Sequence, residues 1–240
     1  MNSVPAASTV AKIAAGPRRR PESGGYARGD EVRGRILQAA IMLFGEQGFA
    51  SASTRAIAAK AGVNPPALQY YFHNKERLHQ ACGQYIADRI KDHLQAPMAR
   101  AAEVLGATDR SAAPDALWTL METVIDHSSS ETEIPGWTQF LAQAAAEVTD
   151  TSLALIHREA VEPLFEMIAA LIALAWSRPV DDEAVRLGAV LALNQARVFG
   201  IHRQSALTLM NWPDLGDGRL ERAKLCLKSM MSSLIAVPLA

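Results

Sequence analysis

Apolar residues recur every three or four positions along most of the chain, which predicts an all-helical protein without strands. A first helix is predicted over residues 30–47, and Gly48 should end it. Two short helices are expected over residues 54–61 and 65–72. They are followed by a longer helix over residues 75–93, and the next proline, Pro97, is predicted to mark the boundary with a second domain.

The remainder of the chain keeps the helical pattern and shows no internal repeat. Its predicted helical segments cover residues 98–105, 115–126, 137–148, 153–176, 181–210 and 218–237. Pro163 lies inside one of the long segments and should bend it, because a proline removes one backbone hydrogen bond. Together with a polar N-terminus, this gives three predicted units, which are residues 1–29, residues 30–95 and residues 96–240.

Two of the C-terminal segments carry a narrow apolar stripe with steps of three and four residues, the pattern of helix-on-helix packing. In the last segment the stripe consists of Leu220, Ala223, Leu227, Met230, Leu234 and Val237, and in the earlier one of Leu164, Ile168, Leu171 and Ala175. Two copies of such a helix pair would form a four-helix bundle between subunits. The alternative is that the stripes are buried within one subunit. The residues predicted for a dimer interface are Leu164, Ile168, Leu171, Leu220, Leu227, Met230 and Leu234.

Residues 54–71 fit a helix-turn-helix, because apolar residues stand where two short helices must pack together. These positions are Ile57, Ala61, Val63, Leu68 and Tyr71, and Ala58 provides the small side chain needed at the closest approach. Gly62 falls at the corner, where the chain needs a positive φ. Asn64 is placed to cap the second helix and Pro65 occupies its first position, where a missing N–H has no cost. The second helix of such a unit enters the major groove of DNA.

The distribution of charge agrees with DNA binding by the N-terminal part. The chain as a whole has a net charge of −1, but residues 1–95 carry +6 and residues 96–240 carry −7. Residues 1–29 lack a hydrophobic period and contain five basic residues, Lys12, Arg18, Arg19, Arg20 and Arg28. We expect them to form a disordered arm, which either lies along DNA phosphates or is a solvated tail without a role.

Composition excludes several other classes of protein. The longest apolar run, residues 168–176, is about half of the ~18 residues that a membrane span needs. The two cysteines, Cys82 and Cys226, have neither metal-ligand spacing nor a partner framework for disulfides, which favours a reduced cytoplasm. No phosphate-binding glycine loop, nucleophile elbow or zinc-protease motif is present, so no enzyme activity, metal or cofactor is expected.

The stretch from Arg35 to Leu78 resembles the DNA-binding domain of TetR-family transcriptional regulators. The matching residues are Ile36-Leu37, Ala39-Ala40, Phe44, Gly48-Phe49, Ile57-Ala58, Ala61-Gly62-Val63, Tyr71-Phe72 and Lys75. Residues 63–72, and more weakly residues 193–212, are similar to the branch with a CecR-like C-terminal domain. The branch often has an Arg-Glu pair after the position of Phe140, where this chain has Gln143-Ala144-Ala145-Ala146-Glu147, so no ligand is carried over. The resemblance implies an all-helical homodimer that binds a palindromic operator and is released by a small molecule in its C-terminal domain.

The predicted DNA-binding residues follow from the helix-turn-helix and from this resemblance. Gln69 is the best candidate for a base contact, because its amide can pair with the N6/N7 edge of adenine. Tyr70 suits a thymine methyl or a phosphate, and Pro65 and Pro66 offer apolar contact only. The helix ends suggest phosphate contacts by Thr54, Arg55 and Lys75, with Arg35 as a weaker candidate. The family implies a phosphate contact for Tyr71, and Asn64 lies on the same groove-facing side as Gln69.

The ligand site is predicted with less support, from the larger side chains of the C-terminal part. The candidates are Trp118, Met121, Trp137, Phe140, Phe165, Asn194, Phe199 and His202, although aromatic residues at helical spacing are more often core than pocket. The chain is therefore predicted to be a repressor that a largely apolar small molecule releases from double-stranded DNA. The alternative is a DNA-binding regulator without such an inducer, acting as an architectural protein or controlled by a protein partner.

Overall fold

A computed structural model of the chain describes residues 24–130, 136–146 and 151–236, and every regular element within them is a helix. The N-terminal elements are α1 (Gly24–Ser51), α2 (Thr54–Lys60), α3 (Pro65–Phe72) and α4 (Lys75–Gly106). They are followed by α5 (Ala113–Ser129), α6 (Trp137–Ala146), α7 (Thr151–Ile156), a π-helical turn (His157–Val161), α8 (Glu162–Trp176), α9 (Glu183–Ala196), α10 (Val198–Ile201), α11 (Arg203–Met210) and α12 (Arg219–Ala236). The all-helical fold class is confirmed.

The predicted ends of two N-terminal helices were wrong. The first helix begins at Gly24, so the last part of the expected arm is helical, whereas residues 1–23 lie outside the described part of the chain. The fourth helix continues through Pro97 to Gly106. It tolerates the missing N–H of the proline because Leu94, Ala101 and Val104 are buried on both sides of it and hold the helix in place.

Two long C-terminal segments are interrupted in the structure. The segment predicted over residues 153–176 contains the π-helical turn directly before α8, with Pro163 in the first turn of α8. The segment predicted over 181–210 is divided into α9, α10 and α11, with a bend of 77° before Arg203. A β carbon on Gly200 would lie 2.8 Å from the backbone oxygen of Ser128, so α10 approaches α5 as closely as only a glycine permits.

The first hydrophobic core joins the N-terminal helices to the C-terminal part. Ile36, Phe44, Ile57 and Leu68 form it together with the start of α4, and Phe140 of α6 is buried in the same cluster. His79 of α4 lies at its centre. The imidazole contacts the rings of Phe44, Phe49 and Phe140, with centroids 4.8, 5.0 and 4.8 Å away, and its Nδ1 lies 2.8 Å from the Ser152 hydroxyl.

The second core lies in the C-terminal part and contains α5, α8, α9 and the second half of α4. Leu164, Ile168 and Leu171 are buried here within one chain, so their prediction as dimer-interface residues was wrong. Their three- and four-residue spacing is that of a core-facing helix, which periodicity alone does not distinguish from an interface. Leu220, Leu227 and Leu234 are half-buried against the same core, Met230 is exposed, and Val237 lies outside the described residues.

The two cores share α4. Leu78, Cys82 and Ile86 belong to the first core, and Leu94 and Ala101 belong to the second. Burial raises the pKa of the Cys82 thiol, so this side chain stays protonated and acts as a small apolar residue. The expected division of the chain near residue 95 remains a prediction, and α4 crosses that position without interruption.

Within the described residues, no single helix is long and apolar enough to cross a membrane. The bent pair Glu183–Gly200 and Arg203–Met210 reaches the length and apolar composition of a membrane span when its two helices are taken together. Val185, Ala189 and Leu193 of this pair are buried in the second core.

The close contact between α1 and α6 leaves no room for a methyl group at Gly45. A β carbon on Gly45 would lie 2.9 Å from the Gly136 carbonyl oxygen and 2.9 Å from the Phe140 nitrogen, and backbone atoms cannot rotate away. Gly45→Ala should therefore lower the free energy of unfolding by about 1–3 kcal/mol. The control is Gly34→Ala on the same helix, where nothing lies within 4 Å, and it should raise stability by about 0.5–1 kcal/mol. Denaturant unfolding of both variants measures this, and equal effects would contradict the close packing.

Candidate nucleic-acid interface and ligand cavity

The corner between α2 and α3 has the geometry that the sequence predicted. Gly62 has φ 66°, and the turn is closed by two backbone hydrogen bonds, from the Gly62 N–H to the Ala59 oxygen at 3.1 Å and from the Val63 N–H to the Ala58 oxygen at 3.0 Å. This is the Schellman arrangement, in which the two carbonyls at the end of a helix are satisfied by the following residues. It sets the direction in which α3 leaves α2.

The second helix of the motif, α3, is capped as expected and divided into a buried and an exposed side. The Asn64 Oδ1 accepts a hydrogen bond from the Ala67 N–H at 2.9 Å, and Pro65 occupies the first helical position. Leu68 and Phe72 are buried against the core. The residues on the opposite side are exposed, and they are Asn64, Pro65, Pro66, Gln69 and Tyr70.

Tyr71 lies between these two sides of α3. Its ring is half-buried and meets the ring of Tyr70 edge-on at a centroid distance of 5.3 Å. Its hydroxyl lies beside Gly29 near the start of α1. The aromatic body therefore packs against the protein while the polar end stays near the surface.

A strained turn joins α3 to α4. His73 has φ 66° and ψ −56°, and the Asn74 N–H donates to the Phe72 oxygen at 2.7 Å, which together define a γ-turn with positive φ. Asn74 then caps α4 by accepting a hydrogen bond from the Arg77 N–H at 2.8 Å. The sequence indicated a break at these two residues but gave no sign that a non-glycine would adopt this conformation.

The four basic or hydroxyl-bearing candidates for phosphate contact differ in their surroundings. Lys75 is half-buried, and its Nζ donates to the Ala50 oxygen at 3.1 Å and lies 4.7 Å from the centre of the Phe49 ring. Arg35 and Arg55 are exposed, with the Arg35 guanidinium beside Gly62. Thr54 is half-buried, and Ser53 rather than Thr54 caps α2 by accepting from the Ala56 N–H at 3.1 Å.

The C-terminal part contains a mostly apolar cavity between α4, α5, α6, the π-helical turn, α8 and α9. Its volume is about 50 Å³. The apolar lining residues are Ile90, Leu94, Val124, Trp137, Leu141, Ile156, Ala160, Val161, Leu164 and Leu193, and the polar ones are His127, Ser128 and Arg197. Such a site can hold a few waters in its present shape, and a larger molecule requires the wall to move.

Of the eight predicted pocket residues, the structure places Trp137 in the wall of this cavity and seven elsewhere, which corrects the prediction. Phe140 is buried beside His79, and Trp118 and Met121 border a narrow crevice towards α12. Phe165 lies under the guanidinium of Arg186. The remaining three also point away from the cavity. Asn194 is exposed and bonded to the Val190 oxygen, Phe199 stacks on Trp212, and His202 is exposed.

Among the cavity residues that the sequence prediction missed, Arg197 is the one with a permanent charge. It stands between α9 and α10, where its N–H donates to the Asn194 oxygen at 3.2 Å. A charged residue within the largely apolar stretch Leu191–Ile201 was the available signal. Helical periodicity did not reveal it, because the break between the two helices changes the direction in which side chains point.

Comparison with known proteins gives two family matches that together cover most of the chain. Residues 36–82 match the model "Bacterial regulatory proteins, tetR family", and residues 113–236 match the model for the C-terminal domain of the HTH-type transcriptional dual regulator CecR. The CecR protein of Shigella flexneri is 28% identical over 197 residues, which cover 81% of this chain and 86% of the relative.

Solved structures of similar fold are also regulators. The structure of AibR in complex with isovaleryl coenzyme A and operator DNA has a TM-score of 0.61 and 20% identity, and the match covers 83% of this chain and 97% of that one. A transcriptional regulator from Saccharomonospora viridis in complex with choline has a TM-score of 0.58 and 16% identity over 85% and 97% of the two chains.

The protein is a DNA-binding transcriptional regulator and not an enzyme. This conclusion rests on these matches, and the capped helix-turn-helix with its exposed side of α3 agrees with it. The chain belongs to the tetR family of bacterial regulatory proteins, with a C-terminal domain of the CecR type.

Proposed function

We propose that this protein is a homodimeric, cytoplasmic repressor that binds an inverted-repeat operator and is released when a small, largely apolar molecule enters the cavity. The observation that carries the proposal is the course of α4. This helix starts at Lys75, directly after α3, and contributes Ile90 and Leu94 to the cavity wall. Nineteen residues of α-helix separate Lys75 from Leu94, a distance of about 28 Å.

A second connection joins the cavity to the DNA-binding part. Trp137 and Leu141 of α6 line the cavity, and the same helix packs on α1 at Gly45. A molecule that enlarges the cavity can displace α4 or α6, because side chains of both helices form part of its wall. Displacement of either helix changes the position of α3 in one subunit relative to its partner, and an operator with fixed half-site spacing detects that change.

For the dimer we propose the exposed apolar face of α9 and α12. Leu187, Val190 and Leu191 lie on one side of α9 and are 42–50% exposed, and Leu225 of α12 is 69% exposed. An apolar stripe of this kind on neighbouring helices suits a helical bundle between two copies of the chain. Met230 of α12 is 49% exposed, unlike the three interface candidates that are buried in α8.

On the DNA side, we assign direct base contact to Gln69 and contact with a thymine methyl or a phosphate to Tyr70. Pro65 and Pro66 add apolar contact, and Asn64 positions the start of α3. Phosphate contacts are assigned to Arg35, Thr54, Arg55, Tyr71 and Lys75. An ammonium group has three donors, so the bond from Lys75 to Ala50 leaves two for a phosphate.

Two of the structural neighbours are complexes with small molecules, and this supports the assignment of a ligand to the C-terminal part. One of these ligands is a coenzyme A thioester and the other is choline. The two differ in size and in the sign of their charge, so the neighbours do not define the chemical class of the effector for this chain.

The proposal is tested by selecting retained duplexes from a random-sequence pool at about 150 mM salt, where non-specific phosphate binding is weak. We expect an enriched inverted repeat, which a dimer with two copies of α3 requires. Release is then measured by fluorescence anisotropy of the selected duplex with isovaleryl coenzyme A, choline and a library of apolar compounds. A compound that weakens operator binding at least about tenfold supports the repressor mechanism. If a motif is enriched but no compound acts, control by a protein partner is favoured, and an absence of any motif favours an architectural role.

Replacement of Gln69 tests the base contact. Gln69→Ala should weaken binding to the selected operator by about 1–3 kcal/mol and relax the preference at one position of each half-site. Gln38→Ala, an exposed glutamine on α1, is the control and should leave binding unchanged. An equal loss of affinity for operator and random DNA would show that Gln69 does not read a base.

Replacement of Lys75 tests the phosphate contact. Lys75→Ala should weaken binding to all duplexes alike and lower the slope of log affinity against log salt by about 1. Loss of the bond to Ala50 should also reduce stability by about 0.5–1.5 kcal/mol, so binding is measured well below the melting temperature. Lys60→Ala removes a surface charge paired with Glu46 and is the control. An unchanged salt slope for Lys75→Ala would assign this residue a structural role only.

A further inference from the structure

The cavity wall contains an arginine, Arg197, whose charge has no pairing partner among the described residues. Among residues 24–130, 136–146 and 151–236, the Arg197 side chain forms no hydrogen bond and no ion pair. Burial lowers the pKa of its guanidinium, as expected for a positive charge removed from water. Arg197 is half-buried, and a charge that loses part of its water without gaining a partner is destabilising.

Two other polar residues, Ser128 and His127, also line the cavity. The Ser128 hydroxyl lies 3.2 Å from the Ile125 oxygen and 3.4 Å from the Ala196 oxygen, so its single proton is used within the protein. The His127 ring packs edge-on against Trp137, with a centroid distance of 4.9 Å, and in a tilted arrangement against His93, with a centroid distance of 4.5 Å. Arg197 is the permanently charged residue of this wall, and its guanidinium can offer its N–H donors to a ligand.

The position of Arg197 is fixed by its backbone. It caps α9, and α10 starts directly after it. The close approach of Gly200 to Ser128 then holds α10 against α5, because even a methyl group at Gly200 would lie 2.7 Å from the Ser128 Cβ. Fixed geometry of this kind pre-organises a binding group before a ligand arrives.

We propose that the effector of this regulator is a small monocarboxylate with an apolar body, whose carboxylate pairs with Arg197. The planar fork of a guanidinium matches a carboxylate through two parallel hydrogen bonds. The apolar body would contact Ile90, Leu94, Val124, Leu141 and Ile156. The inference rests on the proposed function, since it gives the chemical class of the molecule that enters the same cavity.

A groove at the protein surface lies next to the cavity. An open groove between α4 and the π-helical turn shares Leu94, Ala160 and Leu164 with the cavity, so these three side chains separate the two spaces. At the rim of the groove, the Lys91 Nζ lies 3.4 Å from a Glu159 carboxylate oxygen. The same Nζ lies 2.9 Å from an Asp88 carboxylate oxygen, so this ammonium group is already paired within the protein.

The inference is tested with matched pairs of acids and amides, which have nearly the same shape and differ in charge. Butanoate, hexanoate, octanoate and benzoate are compared with their primary amides by calorimetry at about pH 7, where the acids are ionised. We expect at least one acid to bind wild-type protein at least about tenfold more tightly than its amide. Binding of none of the acids, or equal binding of acid and amide, would overturn the inference.

Two variants connect that preference to Arg197. Arg197→Gln should abolish the preference for the acid, and Arg197→Lys should retain part of it because the charge remains but the fork is lost. Arg203→Gln is the matched control, since Arg203 donates to the Ser129 oxygen at 3.0 Å and does not line the cavity. It should leave the preference for the acid intact, and retention of the preference in Arg197→Gln would contradict the assignment.

Stability without ligand gives an independent measurement. Arg197→Gln should raise the melting temperature, because it removes a buried charge without a partner, whereas Arg203→Gln should lower it by removing a hydrogen bond. A lower melting temperature for Arg197→Gln would indicate a structural role and overturn the inference.

The operator assay separates this inference from the proposed function. Release of the operator by a neutral compound, together with no binding of acids, would leave the proposed function intact and reject the carboxylate. Binding of an acid through Arg197 without any change in operator affinity would support the ligand assignment and contradict the release mechanism.

Discussion

The structure depends on α4 being one uninterrupted helix that is a member of two hydrophobic cores. Leu78 and Ile86 are fixed in the first core and Leu94 and Ala101 in the second, so neither core can rearrange around α4 without affecting the other. A helix resists changes in length, because each residue is held by a hydrogen bond along the axis. It therefore transmits a displacement at one end as a tilt or shift at the other, and packed cores favour discrete arrangements over gradual deformation.

The contacts of α6 and α7 make the N-terminal part a poor candidate for independent motion. Phe140 is buried beside Phe44 and His79, and His79 is bonded to Ser152 of α7. Gly45 and Gly83 allow backbone approaches on both sides of this cluster that any larger residue would prevent. The DNA-binding unit is thus packed directly on the part that contains the cavity, and a change in cavity shape reaches α1 through α6 as well as through α4.

The helix-turn-helix could be predicted from the sequence because its constraints are local. The positive φ of Gly62, the cap at Asn64 and the proline at the first position of α3 all follow from residues within a few positions of each other. Features that depend on distant residues were predicted less well. Pro97 was predicted to end the helix because a proline usually does. The burial of Leu94 and Ala101 that keeps the helix intact depends on distant residues, so the local sequence does not show it. Leu164, Ile168 and Leu171 have the spacing of an interface and the burial of a core, and spacing alone does not separate the two.

The cavity, too, could not be predicted from local sequence patterns. Its small size also indicates how a ligand can change the conformation of the protein. Aromatic residues suggested a pocket, but most of them pack elsewhere in the fold. Arg197, the charged residue of the cavity wall, lies at the break between α9 and α10, which periodicity does not predict. The cavity volume is about 50 Å³, so a molecule of several carbon atoms must move the wall as it enters. A ligand shifts a conformational equilibrium only by the difference in its affinity for the two states. Pairing of a previously unpaired Arg197 charge, together with burial of an apolar body, is a source of such a difference. A carboxylate that pairs with Arg197 would remove the cost of the unpaired charge, while the apolar body displaces the wall that Ile90 and Leu94 of α4 help to form.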